Sequence, residues 1–362
     1  MHQQEVTHVN FKGQHVYAGI DVAQRSWRVQ ILVGDLFHKR FSQHPDPRAL
    51  AEYLRHNFPG AEYHCVYEAG YCGFWIQKSF EQLGIDCMIT NAADVPTSDK
   101  ERRHKNDKVD AGKLARERRN GTLKAIYVPE RAALEDRTLV RMRGRFVRKQ
   151  TRCKNQIKAL LAFYGYRQEE DQDGAEHYWS RAYVSWIDSI AMERPSGAQA
   201  LKALLKELVF LREMVAQLTK QIRLLAHDDR YRETIERLRT IPGIGIVCAM
   251  TLMTELVTIE RFKTLDHLAS YTGLIPGEYS SGDTEKDTGI TPRRNPAMRH
   301  MIIECAWIAK REDPALLLAF NELRKRMESR EAIIRIARKL LNRVRFVLRH
   351  NEPYVTGVLK SA

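Results

Sequence analysis

Nine aliphatic residues in the middle of the chain recur at steps of three or four, a spacing that places them on one face of a continuous helix. Such a face is stable only when another element covers it. A long charged segment with few Gly or Pro residues precedes it, over 131–166. Together they predict an antiparallel helical hairpin or coiled coil over 129–230, acting as a spacer or oligomerisation arm. A plain helical-bundle core is the alternative. The nine residues are Leu201, Leu204, Leu205, Leu208, Leu211, Val215, Leu218, Ile222 and Leu225.

The first 128 residues have a different pattern. Three β-rich stretches between residues 15 and 43 predict adjacent strands, and the chain then alternates between helical and strand-like segments up to about residue 91. A further helix is predicted from about Asp107 to Arg119, because Asn120-Gly121 follows it as a helix stop. Strands followed by helix–strand alternation indicate an α/β domain with a mixed sheet, assigned to residues 1–128.

Residues 231–362 form the third predicted domain, which is expected to be all-α. It begins with a helix, a Pro-Gly-Ile-Gly turn and an apolar helix, continues through a polar loop between helices, and ends in a basic amphipathic helix over 330–349. No internal repeat divides it further.

The net charge of +14 on 362 residues is concentrated in two segments. Residues 100–154 hold 19 Lys and Arg against 7 acids, and residues 324–349 hold 10 against 2. Long basic segments on an otherwise mildly acidic chain favour a polyphosphate partner, so nucleic acid is expected ahead of an acidic protein or a membrane surface.

Composition excludes several other classes of protein. A hydrophobic share of 43% with 20 Gly and 12 Pro is typical of a globular chain and not of a disordered or collagenous one. There is no apolar stretch long enough for a membrane span, and the N-terminus lacks the apolar core of a signal peptide. The six cysteines form no Cys-x-x-Cys pair, which favours reduced thiols in a cytoplasmic protein.

Four acidic residues stand out by their order along the chain. Asp21 ends the first predicted strand and Glu68 ends a later one, whereas Asp107 and Asp110 lie three apart on one face of a predicted helix. Clustered carboxylates repel each other unless cations neutralise them, and they are preferred ligands of Mg²⁺. This order predicts an RNase H-like nuclease core with one or two Mg²⁺ ions. Each acid alone is more typical of turn chemistry, a helix cap or a solvated face than of a metal site.

Basic residues beside these acids would hold a phosphate backbone near the ions: Lys100, Arg102, Arg103, Lys105 and Lys108. A second candidate contact is the turn at 242–245, which has the shape of a helix-hairpin-helix. There Gly243 and Gly245 would leave backbone N–H groups able to bind a phosphate. A simple turn between two helices is the alternative interpretation.

The polar loop offers a candidate nucleophile. Ser280 and Ser281 directly precede Gly282, and a basic run follows them: Arg293, Arg294 and Arg299. A hydroxyl presented near arginines could attack a phosphodiester. No His lies close in sequence, so activation would have to come from a metal or from another domain. Loop serines are mostly without a catalytic role, so the motif alone is weak evidence.

Taken in order, these motifs resemble the DEDD insertion-sequence transposases, which are relatives of the Piv-type DNA invertases. The resemblance covers about residues 15–325 and includes "GID", "NDKVDAGKLA", "TIPGIG", "FKTLDHLASYTGLIP" and the Pro-x-x-x-x-Ser-Gly motif. It implies a RuvC-like N-terminal domain, which has an RNase H-like fold, and a C-terminal transposase domain that carries a serine.

The resemblance also implies roles for individual residues. Asp21, Glu68, Asp107 and Asp110 would be the Mg²⁺-binding set, and Ser281, five residues after Pro276, would form a covalent phosphoserine link to DNA. It further implies a composite site, shared between protomers of a dimer or tetramer, and an element-encoded guide RNA that pairs with donor and target DNA.

The sequence departs from the family pattern after the serine. The family commonly has Lys-Gly-Asn there, whereas this chain has Thr-Pro-Arg-Arg-Asn-Pro over 291–296. The two prolines restrict the backbone and remove N–H donors, which alters the expected phosphate contacts.

Two other functions account for part of the pattern. A RuvC-like nuclease would use the same four acids with a metal-activated water and would not need Ser281. A non-catalytic nucleic-acid-binding protein would use only the hairpin and the basic helices, and it leaves the acidic residues unexplained.

Overall fold

The computed structural model describes residues 10–96, 107–167, 179–281 and 284–357, without the side chains of 107–109 and 276–289. The chain divides into two compact units, Met1–Val128 and Pro129–Ala362. Among the helices described in either unit, none combines the length and apolar composition needed to cross a membrane.

A five-stranded mixed sheet forms the centre of the first unit. Its strands lie in the order β3-β2-β1-β4-β5, with β1–β2 and β2–β3 antiparallel and β1–β4 and β4–β5 parallel. This arrangement confirms the predicted mixed α/β sheet and is consistent with an RNase H-like domain. The bounds are β1 His15–Asp21, β2 Trp27–Val33, β3 Leu36–Gln43, β4 Glu62–Glu68 and β5 Asp86–Thr90.

Helices cover both faces of this sheet. Apolar residues on one face of β1 and β4, such as Ile20 and Tyr67, join a core that includes Leu50 and Leu54 of α1. On the other face, Val66 packs with Leu114 of α3. The helices are α1 Pro47–Asn57, α2 Trp75–Gln82 and α3 Asp107–Arg119, with a short 3₁₀ turn at Ala92–Asp94.

Nine helices are described in the second unit. Their bounds are α4 Arg131–Phe163, α5 Arg181–Ser189, α6 Pro195–Leu225, α7 Arg232–Arg239, α8 Ile246–Leu256, α9 Leu265–Thr272, α10 Pro296–Glu312, α11 Pro314–Arg324 and α12 Ser329–His350.

The long helices α4 and α6 pack against each other in opposite directions. Arg143 Nε donates to Thr219 Oγ1 over 2.8 Å, and further along α4 the Cys153 thiol lies 3.4 Å from the Leu204 carbonyl oxygen. Leu201, Leu205, Leu208 and Leu211 of the predicted stripe are buried in this pairing. The predicted helical hairpin over this part of the chain therefore describes the observed packing.

The all-α expectation for residues 231–362 is wrong at the polar loop. Pro276–Ser281 (β6) and Thr284–Ile290 (β7) form an antiparallel hairpin in which Ser281 pairs with Thr284. Two residues separate the paired ends, and their sequence, Gly282-Asp283, is typical of two-residue hairpin turns. The Tyr and Thr residues on both sides favour strands.

A buried carboxylate joins α4 to the helices that follow it. Glu255 of α8 is fully buried and receives two hydrogen bonds from Arg141, of 2.6 and 2.8 Å, and one of 2.8 Å from Asn295 Nδ2. Asn295 also caps the N-terminus of α10. Burial alone raises the pKa of Glu255, but the Arg141 and Asn295 hydrogen bonds and the nearby Arg137 lower it overall.

Candidate active site

Asp21 and Glu68 lie at the carboxyl ends of neighbouring parallel strands. Ile20 of β1 is paired with Tyr67 of β4, so the two acids follow directly at the same edge of the sheet. Side chains alternate between faces along a strand. Ile20 and Tyr67 belong to the core on the α1 side, which places Asp21 and Glu68 on the opposite face, the one that α3 covers.

The helix α3 lies unusually close to β1 on that face. A Cβ atom added to Gly19 would come within 1.9 Å of the Ala111 carbonyl oxygen and 2.6 Å of the Ala115 nitrogen. Gly112 is equally close to Gln30 of β2. Only a residue without a side chain fits at Gly19. This contact fixes the start of α3, and with it Asp110, beside the strand end that holds Asp21.

The direction of α3 brings its acidic end to the same edge of the sheet. Near its other end, Arg118 forms an ion pair with Asp86, at the beginning of β5, so the helix runs opposite to the parallel strands. Asp107 and Asp110 both lie in its first turn. The side chain of Asp107 is outside the described residues, whereas Asp110, Asp21 and Glu68 are all partly buried.

This arrangement gathers the backbone positions of the four predicted acids at one end of the sheet, and their chemistry fits a hard cation. Carboxylates that share a partly buried site repel each other, and a divalent ion relieves that repulsion. Oxygen ligands on two strands and one helix are the kind of donor set that Mg²⁺ takes up together with substrate phosphates.

The sequence reasoning did not single out Tyr71, which lies in the loop after Glu68. Its side chain is 64% exposed. Loss of hydration is the main cause that raises the pKa of Tyr71, and the charges of Cys72 and Asp21 raise it further. An exposed aromatic ring beside phosphate-binding chemistry can stack on a base. The only signal in the sequence is its position, three residues after a strand-terminal acid.

The basic residues predicted beside the acids are largely outside the described part of the chain. This holds for Lys100, Arg102, Arg103 and Lys105, whereas Lys108 has a described backbone within α3 but no described side chain. Their role in binding phosphate stays a prediction.

Ser281 is the last residue of β6, and its side chain, like that of Ser280, is outside the described residues. The backbone nevertheless defines the segment: Ser280 pairs with Glu285 and Ser281 with Thr284, so the serines sit at the tip of a hairpin.

The Pro-Gly-Ile-Gly turn joins α7 to α8 as predicted, but its two glycines have different surroundings. Gly243 has φ +83°, and a Cβ atom there would come within 2.5 Å of the Cys305 carbonyl oxygen of α10. Gly243 is therefore explained by close packing inside the unit. Gly245 is the N-cap of α8 and has open space around it, but its backbone N–H already interacts with the Cys248 thiol, so its contact with a phosphate stays a prediction.

The three arginines after the hairpin also differ from one another. Arg293 and Arg294 are exposed. Arg299 is buried, and its Nη1 donates to the Thr291 carbonyl over 2.8 Å. Burial lowers the pKa of Arg299. The expectation that Arg299 contacts nucleic acid is therefore not supported by its position, because a buried guanidinium that binds backbone has a structural role.

The second basic segment is partly used within the fold. In α12, Arg343 donates to the fully buried Asp313 over 3.1 Å, Arg338 pairs with Asp266, and Arg349 Nη2 donates to the Phe262 carbonyl over 2.7 Å. A groove of about 860 Å³ nevertheless lies beside this helix. Its lining includes apolar residues such as Leu316 and Leu323, the acidic Glu331 and five basic residues, Arg326, Arg335, Arg338, Lys339 and Arg343.

Comparison with known proteins connects the two units to one class. A protein-family model described as a transposase of the DEDD IS110 type matches residues 18–165. A second family model, described as the transposase IS116/IS110/IS902 family, matches residues 235–320. The first range contains all four acids, and the second contains Ser281 and the turn at 242–245.

Individual relatives have related names. A Sinorhizobium fredii protein named as a transposase is 29% identical over 245 residues, which are 68% of this chain and 58% of that protein. The transposase for insertion sequence element IS1111A of Coxiella burnetii is 24% identical over 63% of this chain and 61% of its own length. The pilin gene-inverting protein of Moraxella lacunata is 32% identical over 39% of this chain and 45% of its own. The chain thus spans about three fifths of the length of the first two relatives.

Proposed function

Because the chain belongs to the IS110/IS116 family of transposases, we propose that it is a Mg²⁺-dependent DNA transposase that cuts and rejoins strands through a serine–DNA intermediate. The observation that carries this proposal is the convergence of Asp21, Glu68 and the first turn of α3 at one edge of the sheet.

In the proposed reaction the Ser281 hydroxyl attacks a DNA phosphorus. A bond forms between Oγ and phosphorus while the bond to one sugar oxygen breaks; the serine loses its proton and the departing sugar oxygen gains one. The phosphodiester energy is kept in the serine ester. A hydroxyl from a second DNA strand then reverses the step, which joins the strands and frees the serine.

The four carboxylates supply what the serine lacks. When Mg²⁺ is bound, it polarises the phosphoryl oxygens and stabilises the charge that develops during transfer. Asp21 and Glu68 would hold it from the strand ends, and Asp107 and Asp110 from the helix. The Tyr71 ring would stack on a base next to the scissile phosphate and orient it.

The nucleic-acid partners are part of the same proposal. Donor and target DNA would follow the basic residues at 100–108 together with Gly245, Arg293 and Arg294, and an element-encoded guide RNA would supply sequence readout by pairing with them. The groove along α12 supports an RNA or DNA backbone site, because its basic and apolar lining residues match a phosphate chain with stacked bases. We further propose a dimer or tetramer with a composite site.

A test of the nucleophile uses purified protein, DNA carrying the element's ends, and copurified RNA. We expect a covalent protein–DNA adduct on denaturing gels with Mg²⁺ and none with chelator. Ser281→Ala should abolish the adduct while RNA and DNA binding persist, and Ser280→Ala is the matched control that should retain it. An adduct that survives in Ser281→Ala and disappears in Ser280→Ala would show that the assigned serine is wrong.

The same assay separates the alternative functions. One feature favours a RuvC-like nuclease, namely that all four acids lie within the first unit. Such a nuclease would still cut DNA when it carries the Ser281→Ala substitution. A non-catalytic binding protein would bind RNA and DNA equally well as wild type, Asp21→Ala and Asp110→Ala, and none of the three would form an adduct or cut DNA. We expect both acid variants to lose cleavage and adduct formation entirely. Normal recombination by either variant would refute both enzymatic proposals.

A further inference from the structure

A second cluster of potential metal ligands lies at the opposite edge of the sheet. His15 begins β1, and Glu62 and His64 lie at the beginning of β4, with His15 paired to Glu62 in the parallel register. All three side chains point to the face that α3 covers. Alternate residues of a strand share a face, so His15 lies on the face of Gly19, and Glu62 and His64 lie on the face of Val66. Six residues of β1 separate His15 from Asp21, which is about 20 Å. The cluster is therefore independent of the proposed active site.

The ligand atoms already have a spacing that suits a small cation. His15 Nδ1 lies 3.1 Å from His64 Nε2 and 3.3 Å from Glu62 Oε2. One ligand atom from each of the three side chains falls within 4.8 Å of those of the other two. Tetrahedral Zn²⁺ with ligand bonds of roughly 2.0–2.2 Å places neighbouring ligand atoms about 3.3 Å apart. Binding would need only small side-chain adjustments.

The surroundings hold both imidazole rings in position. His64 Nδ1 lies 2.9 Å from Asp86 Oδ2, and Asp86 is in turn paired with Arg118. A carboxylate on the far nitrogen of a histidine fixes the tautomer that leaves the other nitrogen available to a metal. The Tyr17 ring stacks on His64 at 5.2 Å between ring centroids and on His15 at 6.3 Å.

We propose that His15, Glu62 and His64 form a zinc-type transition-metal site with Asp86 as the positioning residue. Two imidazoles and one carboxylate are the ligand set of three-coordinate protein sites for Zn²⁺ that leave a fourth position open. Mg²⁺ prefers oxygen ligands alone, so the site does not compete for the ion that the acidic site takes. Glu62 is exposed, which leaves the open position accessible to water or to a ligand from another molecule.

The test is a Co²⁺ titration of the full chain followed by absorption spectroscopy, with Zn²⁺ as competitor. We expect one equivalent of Co²⁺ with the intense visible bands of a tetrahedral or five-coordinate site, displaced by Zn²⁺ and unaffected by millimolar Mg²⁺. His15→Ala and His64→Ala should each abolish these bands. His56→Ala is the matched control, because His56 is exposed in α1 and outside the cluster, and it should leave the titration unchanged.

A second variant tests the role assigned to Asp86. Asp86→Asn should keep the bands and weaken Zn²⁺ affinity about 10- to 100-fold, as expected for loss of an outer carboxylate. Wild-type protein without the bands, or bands that persist in both histidine variants, would overturn the proposal and leave a hydrogen-bonded surface cluster only. An unchanged affinity in Asp86→Asn would overturn the positioning role. None of these outcomes depends on transposition, so failure here is distinguishable from failure of the proposed function.

Discussion

At the scale of single residues, the close approach of the α3 backbone to Gly19 also positions the candidate site. Gly19 has no side chain, and this absence lets the α3 backbone lie directly on β1. The same strand then delivers Asp21 two residues later, on the same face. The steric requirement for glycine at position 19 and the placement of the candidate acid Asp21 are thus one feature of the strand.

Gly19→Ala should therefore disrupt the first unit. Its new Cβ would collide with the backbone of Ala111, which cannot move without shifting α3, so we expect destabilisation of about 3 kcal/mol or more. Differential scanning calorimetry should show the melting temperature of this unit falling by roughly 10 °C. Gly70→Ala is the control, since its nearest neighbour would be 4.0 Å away. Equal melting temperatures for the two variants would contradict the argument.

The buried Glu255 gives a prediction with a definite pH dependence. Its pKa in the folded state lies below the usual value, so ionised Glu255 contributes stability above the pKa of the unfolded state, and that contribution is lost as pH falls through the folded pKa. Glu255→Gln should cost about 3 kcal/mol at neutral pH, because it leaves Arg137 and Arg141 without their buried partner.

Urea denaturation from pH 7 down to pH 3 measures this effect. The difference in the free energy of unfolding between wild type and Glu255→Gln should shrink towards the acid end of the range. The control is Glu233→Gln, which removes the exposed carboxylate partner of Arg237 and should change stability by less than about 0.5 kcal/mol. A difference that stays constant with pH would show that Glu255 is not ionised in the fold.

At the scale of elements, the start of α8 shapes the chemistry of a cysteine. The Cys248 Sγ lies 3.2 Å from the Cys305 Sγ of α10. The hydrogen bond from Cys305, with a further one from the Gly245 backbone N–H and the charge of Arg143, outweighs burial and lowers the pKa of Cys248. The six cysteines, all within the described residues, are free thiols, in agreement with the sequence expectation.

Alkylation by iodoacetamide, followed residue by residue with mass spectrometry, should reveal this difference. A lower pKa means more thiolate at a given pH, so Cys248 should reach its half-maximal rate below pH 9, whereas burial raises the pKa of the partly exposed Cys72 and should delay its reaction to higher pH. Cys305→Ala removes the donor and should shift the Cys248 profile upward. An unshifted profile would exclude the hydrogen bond as the cause.

Some helices and strands could be predicted from local sequence patterns alone. The α3 bounds, Asp107–Arg119, and the strand ends at Asp21 and Glu68 followed from local signals, because strand composition and helix stops act over a few residues. Long-range packing is not visible in such signals. The use of Arg338 and Arg343 within the unit depends on partners 72 and 30 residues away in sequence. A count of basic residues therefore overestimated the surface available to nucleic acid.

The β6–β7 hairpin shows a different reason for an incorrect prediction. The polar composition of this serine-containing segment favours a loop. Gly282-Asp283 between Tyr- and Thr-containing runs is nevertheless a recognised hairpin pattern. The strands lack the apolar alternation that usually identifies a half-buried sheet, because a lone two-stranded ribbon has little core to face. Their place in the fold follows from pairing and not from hydrophobicity.

At the scale of the whole molecule, the proposed chemistry divides between the two units. The four acids belong to Met1–Val128 and Ser281 to Pro129–Ala362, so each unit carries an incomplete set. If the complete set forms between protomers, two inactive variants should restore each other. A mixture of Asp21→Asn and Ser281→Ala subunits would then contain composite sites that pair intact acids from one chain with an intact serine from the other.

Co-expression of the two variants, distinguished by different tags, tests this arrangement. For freely mixing dimers about a quarter of composite sites should be intact, and recombination should recover to that order while each variant alone is inactive. The doubly substituted chain, Asp21→Asn with Ser281→Ala, mixed with either single variant is the control and should remain inactive. If tandem affinity purification detects mixed oligomers but recombination does not recover, each chain completes its own site. In that arrangement every subunit lacks either its acid or its serine and is therefore inactive.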